Sequence, residues 1–302
     1  MILTVTPNPA YDVTYAVPRV DVGAVHRVTD VRERAGGKGV NVARVLGLLG
    51  VPAYAMGFGD MAFASALDAD GIAHDLVNAL PRVRRTLVVH AEDATSFWEP
   101  GATLADGAED ELCRSVERRL PEARGMVVSG SLPTGADPDL PARLARLAVD
   151  AGVPVIVDTS GEPLRRAARV PGVVLTPNTD EVRALAEESH DWLAACESLV
   201  ASGARAVIAT RGAEGMTAVT ADGGWHAALS DRLDGNPTGA GDAAAAAMIA
   251  RLSDAPVDWH RLLADAVATS AAAVAAPVAG EFDPTVRERL RPLVMVKTAN
   301  ER

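Results

Sequence analysis

The hydrophobic positions fall into two regimes. From residue 103 onward, short apolar runs alternate with segments whose apolar residues recur three and four apart. The runs at 126–129, 153–158, 173–177 and 206–210 predict strands. The segments at 107–120, 138–151, 162–168 and within 179–203 predict the helices between them. Strands that are apolar throughout, alternating with helices, predict an α/β fold whose mostly parallel sheet is covered on both faces. Residues 2–5 predict one more buried strand, ended by Pro7-Asn8-Pro9. Residues 216–219 and 225–227, joined around Asp222-Gly223-Gly224, predict a terminal hairpin, and helices are expected at 240–252, 258–276 and 284–292.

Before residue 103 the pattern is mixed. Residues 15–17 and 27–34 are half-polar and strand-like, and 83–91 and 95–99 predict two further strands with Glu92-Asp93-Ala94 as their turn. Together they predict a small sheet with one wet face, a lid built from segments about 11–34 and 83–99. Asp12 is expected in a loop. Val42, Val45, Leu46 and Leu49 recur at helical spacing, closed by Gly50; a strand at 52–58 and a helix at 62–69 follow. With no internal repeat, long linker or low-complexity tail, residues 1–302 are expected to form one domain.

The formal charge of −11 comes from no block of like charge, which argues against general nucleic-acid or anionic-membrane binding. An anionic substrate remains open, because a few local Lys and Arg suffice for it. Cys113 and Cys196 fall in helical segments outside any paired motif and predict apolar fillers in a reducing compartment. The N-terminus shows no basic leader and no long apolar run, and the Ala-rich stretch at 264–276 is broken by Asp265, Thr269 and Ser270. A cytoplasmic protein is expected. The six histidines are scattered, reading mostly as surface, and suggest no His/Cys metal centre.

In such a sheet, ligands bind at the carboxyl ends of the strands. The polar residues there are Asn8, Asp12, Ser129, Ser131, Asp158, Asn178, Thr210 and Arg211; loop chemistry accounts for any one of them alone. The stretch Asn236-Pro237-Thr238-Gly239-Ala240-Gly241-Asp242, followed by five alanines, offers tight glycine turns before a good helix former. Free N–H groups and the positive end of the helix dipole there would hold an anion, with Asp242 placed to take a proton from a hydroxyl. Taken alone, the same stretch is equally a helix-capping loop.

Other motifs divide similarly. Gly36-Gly37-Lys38-Gly39 is no P-loop, since Arg32 stands where the first glycine belongs and Gly39 where Ser/Thr belongs. It is a glycine bend with Lys38 reaching an anion, or a plain turn with a solvated lysine. Gly57-Phe58-Gly59-Asp60-Met61-Ala62 matches the dinucleotide fingerprint, yet no acidic residue closes a strand about 20 residues on, so no nicotinamide or flavin site is expected. Asn178-Thr179-Asp180-Glu181 is an N-capping segment or part of a hydrated Mg²⁺ site. Arg27, Lys38 and Arg84 are surface charges by default and a phosphate clamp if brought together.

With these pieces in place, the sequence resembles the PfkB-type carbohydrate kinases of ribokinase-like fold, above all the branch of 1-phosphofructokinase, tagatose-6-phosphate kinase and the minor 6-phosphofructokinase. The likeness runs in order along nearly the whole chain: residues 4–12, 35–44, 128–133, 158–162, Asn178 with Glu181, 212–215 and 238–242. It implies a three-layer α/β/α core with a small β-sheet lid, often also the contact of a homodimer. It implies ATP and Mg²⁺ as cofactors. By the same resemblance Asp242 is the general base, and the N–H groups of Gly239, Ala240, Gly241 and Asp242 form the anion hole. Asp12, Gly37, Asn41 and Ser129 lie on the sugar side, and Lys38, Arg27 and Arg84 hold a substrate phosphate. Thr210, Gly212, Gly215 and Asn178 line the nucleotide site, and Asn178 and Glu181 hold Mg²⁺. Departures stand at Thr176 for Lys, at residues 59–63, at Ser96 for Arg and at Thr86 for Asn; three of the four fall on the sugar side. The implied reaction is ATP-dependent phosphorylation of a hexose phosphate, D-fructose 1-phosphate first. Fructose 6-phosphate, tagatose 6-phosphate or an unphosphorylated sugar or nucleoside are the alternatives, and a sensor without turnover is the alternative of another class.

Overall fold

The computed structural model describes residues 1–91, 94–185, 191–231, 233, 235, 237–254, 256–276 and 278–298. The expected turn residues Glu92 and Asp93, residues 186–190 (His190 among them) and Asn236 lie outside the described residues.

The strands are β1 (Ile2–Thr6), β2 (Ala10–Ala16), β3 (Asp30–Gly36), β4 (Ala53–Gly59), β5 (His74–Asn78), β6 (Arg84–His90), β7 (Ala94–Trp98), β8 (Gly125–Ser129), β9 (Val155–Asp158), β10 (Val174–Leu175), β11 (Ala206–Thr210), β12 (Met216–Thr220), β13 (Gly223–Ala228) and β14 (Met295–Thr298). The helices are α1 (Lys38–Leu48), α2 (Met61–Ala69), α3 (Ala108–Arg119), α4 (Leu140–Asp150), α5 (Gly161–Ala167), α6 (Thr179–Leu185), α7 (Trp192–Ala201), α8 (Ala240–Leu252), α9 (Trp259–Val274) and α10 (Pro284–Leu290). The large sheet runs β14-β13-β12-β11-β10-β9-β8-β1-β4-β5. It is parallel from β11 to β5 and antiparallel across β11-β12-β13-β14.

The strand period of two explains the three layers. Neighbouring residues of one strand enter different cores: Leu3, Val128, Val157 and Val207 join one cluster, while Ile2, Val127, Ile156 and Ile208 join the other. The first face is covered by α2, α3, α4, α5 and α7, the second by α1, α8 and α9. The run Ala243–Ala247 is buried in the second cluster, where its small side chains let α8 pack closely on its neighbours.

A second sheet has the order β3-β2-β6-β7, with β2–β6 parallel and the other two pairs antiparallel. Arg34 of β3 forms a 2.6 Å ion pair with Glu281, tying this sheet to the segment before α10.

Several elements differ from the pattern-based expectation. Asp12 lies inside β2, not in a loop. Aspartate is a poor strand former, but this one is anchored across the sheet by Thr86, its register partner on β6. Strand β5 (HDLVN) carries too many polar residues to stand out, yet it pairs in parallel with β4 at the sheet edge. The final strand β14 extends the predicted hairpin, and it too is a short, mostly exposed edge. Strand β10 is only two residues long, where a run of five was expected. Cys113 and Cys196 are free, and burial pushes the Cys196 thiol up to about 12, in line with an apolar filler. No helix among the described residues is long and apolar enough to cross a membrane.

Candidate active site

The site begins at the amino end of α8. Gly239 is its N-cap with φ +85°, a conformation that favours glycine, and a Cβ there would lie 2.7 Å from Ala279. Asp242 sits in the first turn and is 6% exposed. The N–H groups of Gly241 and Asp242 have no backbone acceptor among the described residues, as their positions in the helix require. The N–H of Ala240 donates to the Pro237 carbonyl at 3.2 Å. That N–H is already used within the turn.

Burial pushes the Asp242 carboxyl up to about 7; Lys38 opposes this rise, Asp158 and Asp12 add to it, and a hydrogen bond from Asn41 opposes it again. Such a carboxylate takes up protons near neutrality, where a general base works best.

Asn41, on the buried face of α1, joins two carboxylates. Its Nδ2 donates to Asp242 Oδ2 and to Asp12 Oδ2, both at 3.2 Å. Two carboxylate acceptors dictate this amide orientation. Its Oδ1 is buried without a hydrogen-bond partner, against Gly280. Asp12 is held on its other oxygen by Thr86 Oγ1 at 2.7 Å. Gly36 leaves room for it, since a Cβ there would fall 2.1 Å from Asp12 Oδ2. Gly37 caps α1 at φ +91°.

Lys38 opens α1 and reaches across the cleft. Its Nζ donates to both oxygens of Asp158 at 3.1 and 3.2 Å, and Ser129 Oγ donates to Asp158 Oδ2 at 3.0 Å. Asp158, then Asp242 and Glu181, hold the Lys38 ammonium well above its usual range. Asp158 is thus a site residue that the motif reading noted but did not assign to a role. Its position at the end of β9 was the available signal.

Arg84 opens β6, beside β2 in the small sheet. Its Nη1 donates to the Glu99 carbonyl at 2.9 Å and its Nη2 to the Asn8 carbonyl at 3.3 Å, and its Nε is buried without a partner. Arg27 is exposed in the loop between β2 and β3, outside the hydrogen-bond network of Asp12, Lys38, Asn41 and Arg84. Of the three basic residues, the fold places two in the contact network and leaves the third on the surface.

On the far side, Asn178 and Glu181 form a reciprocal capping pair at the start of α6. The Asn178 N–H donates to Glu181 Oε2 at 2.8 Å, and the Glu181 N–H donates to Asn178 Oδ1 at 2.9 Å. The capping reading is therefore correct, and it leaves Glu181 Oε1 with no hydrogen bond from the described residues. Burial raises the Glu181 carboxyl above its usual range. An oxygen-only donor set with one spare carboxylate oxygen fits a Mg²⁺ ion that keeps most of its waters, and no cluster of three His, Cys, Asp or Glu among the described residues offers a closed metal cage. Thr210 ends β11 and donates its N–H to the Pro177 carbonyl at 2.9 Å. Beyond it Gly212 and Gly215 adopt φ +57° and +89°, and a Cβ on Gly215 would lie 2.1 Å from the Ala227 carbonyl oxygen. The Arg211 guanidinium covers the Trp192 ring at 4.6 Å.

The dinucleotide-like motif has a structural explanation. Gly57 clears the Thr6 carbonyl, which a Cβ would approach to 2.1 Å, and Gly59 clears Leu76. Asp60 caps α2, accepting from the Phe63 N–H at 2.7 Å and the Val83 N–H at 2.8 Å. A carboxylate occupies the place a pyrophosphate would need. A cavity of about 380 Å³ opens at the opposite, amino ends of the strands, between Arg124, Arg205 and Leu252, and none of the expected site residues lines it.

Known proteins share this sequence pattern and fold. The family model "pfkB family carbohydrate kinase" matches residues 6–286. Phosphofructokinase-2 from Escherichia coli in complex with potassium is similar at 26% identity and TM-score 0.86, over 96% of this chain and 98% of that one. A possible 1-phosphofructokinase from Thermotoga maritima has the same fold at 23% identity and TM-score 0.88, over 99% of both chains. Arabidopsis thaliana ribokinase, complexed with ribose and ATP, shares the fold at 20% identity and TM-score 0.71, over 96% of this chain and 98% of that one. The chain belongs to the pfkB family of carbohydrate kinases, enzymes that transfer a phosphoryl group to a sugar hydroxyl.

Proposed function

We propose that this chain is an ATP-dependent kinase of a ketohexose phosphate, with D-fructose 1-phosphate as its preferred substrate and fructose 1,6-bisphosphate as product. The observation that carries the reading is the set around Asn41: a buried base, Asp242, and a sugar-side carboxylate, Asp12, share one amide beside the free N–H groups of α8. A similar E. coli protein is described in complex with fructose 6-phosphate, at 26% identity.

The acceptor hydroxyl would hydrogen-bond Asp242 while a neighbouring sugar hydroxyl takes Asp12. As the hydroxyl oxygen bonds to the γ-phosphorus, its proton passes to Asp242, and the bond from that phosphorus to the β,γ-bridging oxygen breaks to release ADP. The N–H groups of Gly239, Gly241 and Asp242 stabilise the charge that develops on the transferred group. Lys38 faces the same space and adds positive charge. Mg²⁺, held by Glu181, Asn178 and the nucleotide phosphates, would supply charge neutralisation. Thr210, Gly212 and Gly215 line the nucleotide end. The small sheet closes as a lid and excludes water.

The outer strand of that sheet is exposed throughout, with Phe97 at 59% and Trp98 at 72%, which supports a homodimer through the lid. A cytoplasmic location follows from the sugar-phosphate and ATP substrates.

The test is ADP release from purified protein with fructose 1-phosphate, fructose 6-phosphate, tagatose 6-phosphate and a panel of unphosphorylated sugars and nucleosides. Turnover is expected with a sugar phosphate. Turnover only with unphosphorylated acceptors would overturn the substrate class, and binding without any turnover would indicate a sensor. Lys38→Ala should raise the KM for the sugar phosphate about tenfold or more and lower kcat, since it removes a cation from between Asp158 and Asp242. An unchanged KM would remove Lys38 from the substrate-phosphate site.

A further inference from the structure

A second cavity, about 190 Å³, lies on the sugar side and is lined by Arg82, Arg84, Glu99, Pro100, Gly101 and Ala102. Its two guanidiniums are unequally committed. The Nη atoms of Arg84 donate to the Glu99 and Asn8 carbonyls, which fixes its guanidinium in place. Lys38 is already paired with Asp158. A dianionic phosphate entering this end of the cleft gains from a further cation that can leave its present partner.

Arg82 is that cation. It is held only by Glu99 Oε2 at 3.1 Å, in a pair whose side chains are 63% and 40% exposed. Such a pair is screened and weak, whereas a guanidinium on a phosphate gains two parallel charge-assisted bonds. Glu99 Oε2 also accepts the Arg85 N–H at 3.0 Å, so Glu99 stays partnered if Arg82 leaves it. Neither Arg82 nor Glu99 belongs to any motif noted in the sequence.

We propose that Arg82 is a specificity-determining residue that binds the phosphate monoester of the substrate in this cavity, exchanging Glu99 for the phosphate beside Arg84. The proposal rests on the reading of the chain as a sugar-phosphate kinase. It explains how the chain holds a substrate phosphate although Arg27 lies outside the contact network.

The experiment compares steady-state kinetics of the wild type with Arg82→Ala, Arg82→Lys and Glu99→Gln. Arg82→Ala should raise the KM for the sugar phosphate about tenfold and leave the KM for ATP and the melting temperature unchanged. Arg82→Lys should recover part of the loss, because a point charge replaces a fork. Glu99→Gln, which releases Arg82, should lower the KM for the sugar phosphate. An unchanged KM in Arg82→Ala, or a raised one in Glu99→Gln, overturns the role of Arg82 while leaving the kinase reading intact. A wild type that turns over only unphosphorylated sugars overturns the sugar-phosphate reading, and this proposal with it.

Discussion

Asp242→Asn is expected to lower kcat by about 10²–10⁴-fold while leaving the KM for ATP nearly unchanged. The substitution preserves shape and removes the proton acceptor. The first turn of α8 stays intact, because Gly239, and not the Asp242 side chain, provides the N-cap. The variant should also melt at higher temperature than the wild type above neutral pH. The sign follows from the carboxyl being raised by burial to about 7, above its unfolded value. Its contribution to stability is fully present below the unfolded value near 4 and is lost as pH rises through 7, where a buried charge must form. An amide never ionises, so it escapes that loss. In the wild type, kcat/KM should climb with pH toward 7 and level off above it, as the free enzyme's base becomes ionised. Full activity in Asp242→Asn, or a rate flat from pH 5 to 9 in the wild type, would remove Asp242 from the role of base.

The second large effect is expected from Gly239→Ala. The residue adopts φ +85°, where an added Cβ costs about 1–2 kcal/mol, and that Cβ would sit 2.7 Å from both Cα and Cβ of Ala279. Relief requires the turn or the segment around Ala279 to move. Either displaces the N–H groups of Gly239, Gly241 and Asp242 from the point on which they converge. Loss of such donors typically costs about 10²–10³-fold in kcat. The variant should therefore lose far more kcat than stability, and sugar-phosphate binding, which depends on α1 and β6, should persist. Gly241→Ala is the control: nothing lies within 4 Å of the Cβ it would add, and its φ is not positive. Its effect should be smaller. Equal activity of Gly239→Ala and the wild type would mean that the turn does not build the anion site.

Much of the core was legible because its strands are uniformly apolar. Residues 206–210 and 240–252 were bounded from periodicity alone as the structure has them. The small sheet was legible only as scattered pieces. Its strands carry Asp12, Arg32, Glu33, Arg34, Arg84 and Arg85, which break alternation because one of its faces meets the cleft and the other meets water. Strands β5 and β14 were missed as short edges, whose pairing is set by distant partners and not by their own composition. At the site, the motifs located Asp242, Asn41, Asp12 and Lys38. What local sequence could not show is that Asn41 joins Asp12 to Asp242, residues 29 and 201 positions away from it, or that Lys38 is held by Asp158, 120 positions on. Those links come from the first turn of α1, which lies at the carboxyl end of β1 and so brings Lys38 to Asp158 at the end of β9. The same limit explains Arg82, which only the β6–β7 hairpin brings beside Glu99.

The most direct measurement is the fate of the γ-phosphoryl group. Protein, Mg²⁺ and γ-labelled ATP are incubated with fructose 1-phosphate, and the products are resolved by phosphorus NMR or mass spectrometry. The account predicts one labelled phosphoryl group on the sugar phosphate, giving a bisphosphate in equal amount to ADP, and no such transfer by Asp242→Asn. Label recovered only as inorganic phosphate, or on no acceptor across the hexose phosphates, would contradict it.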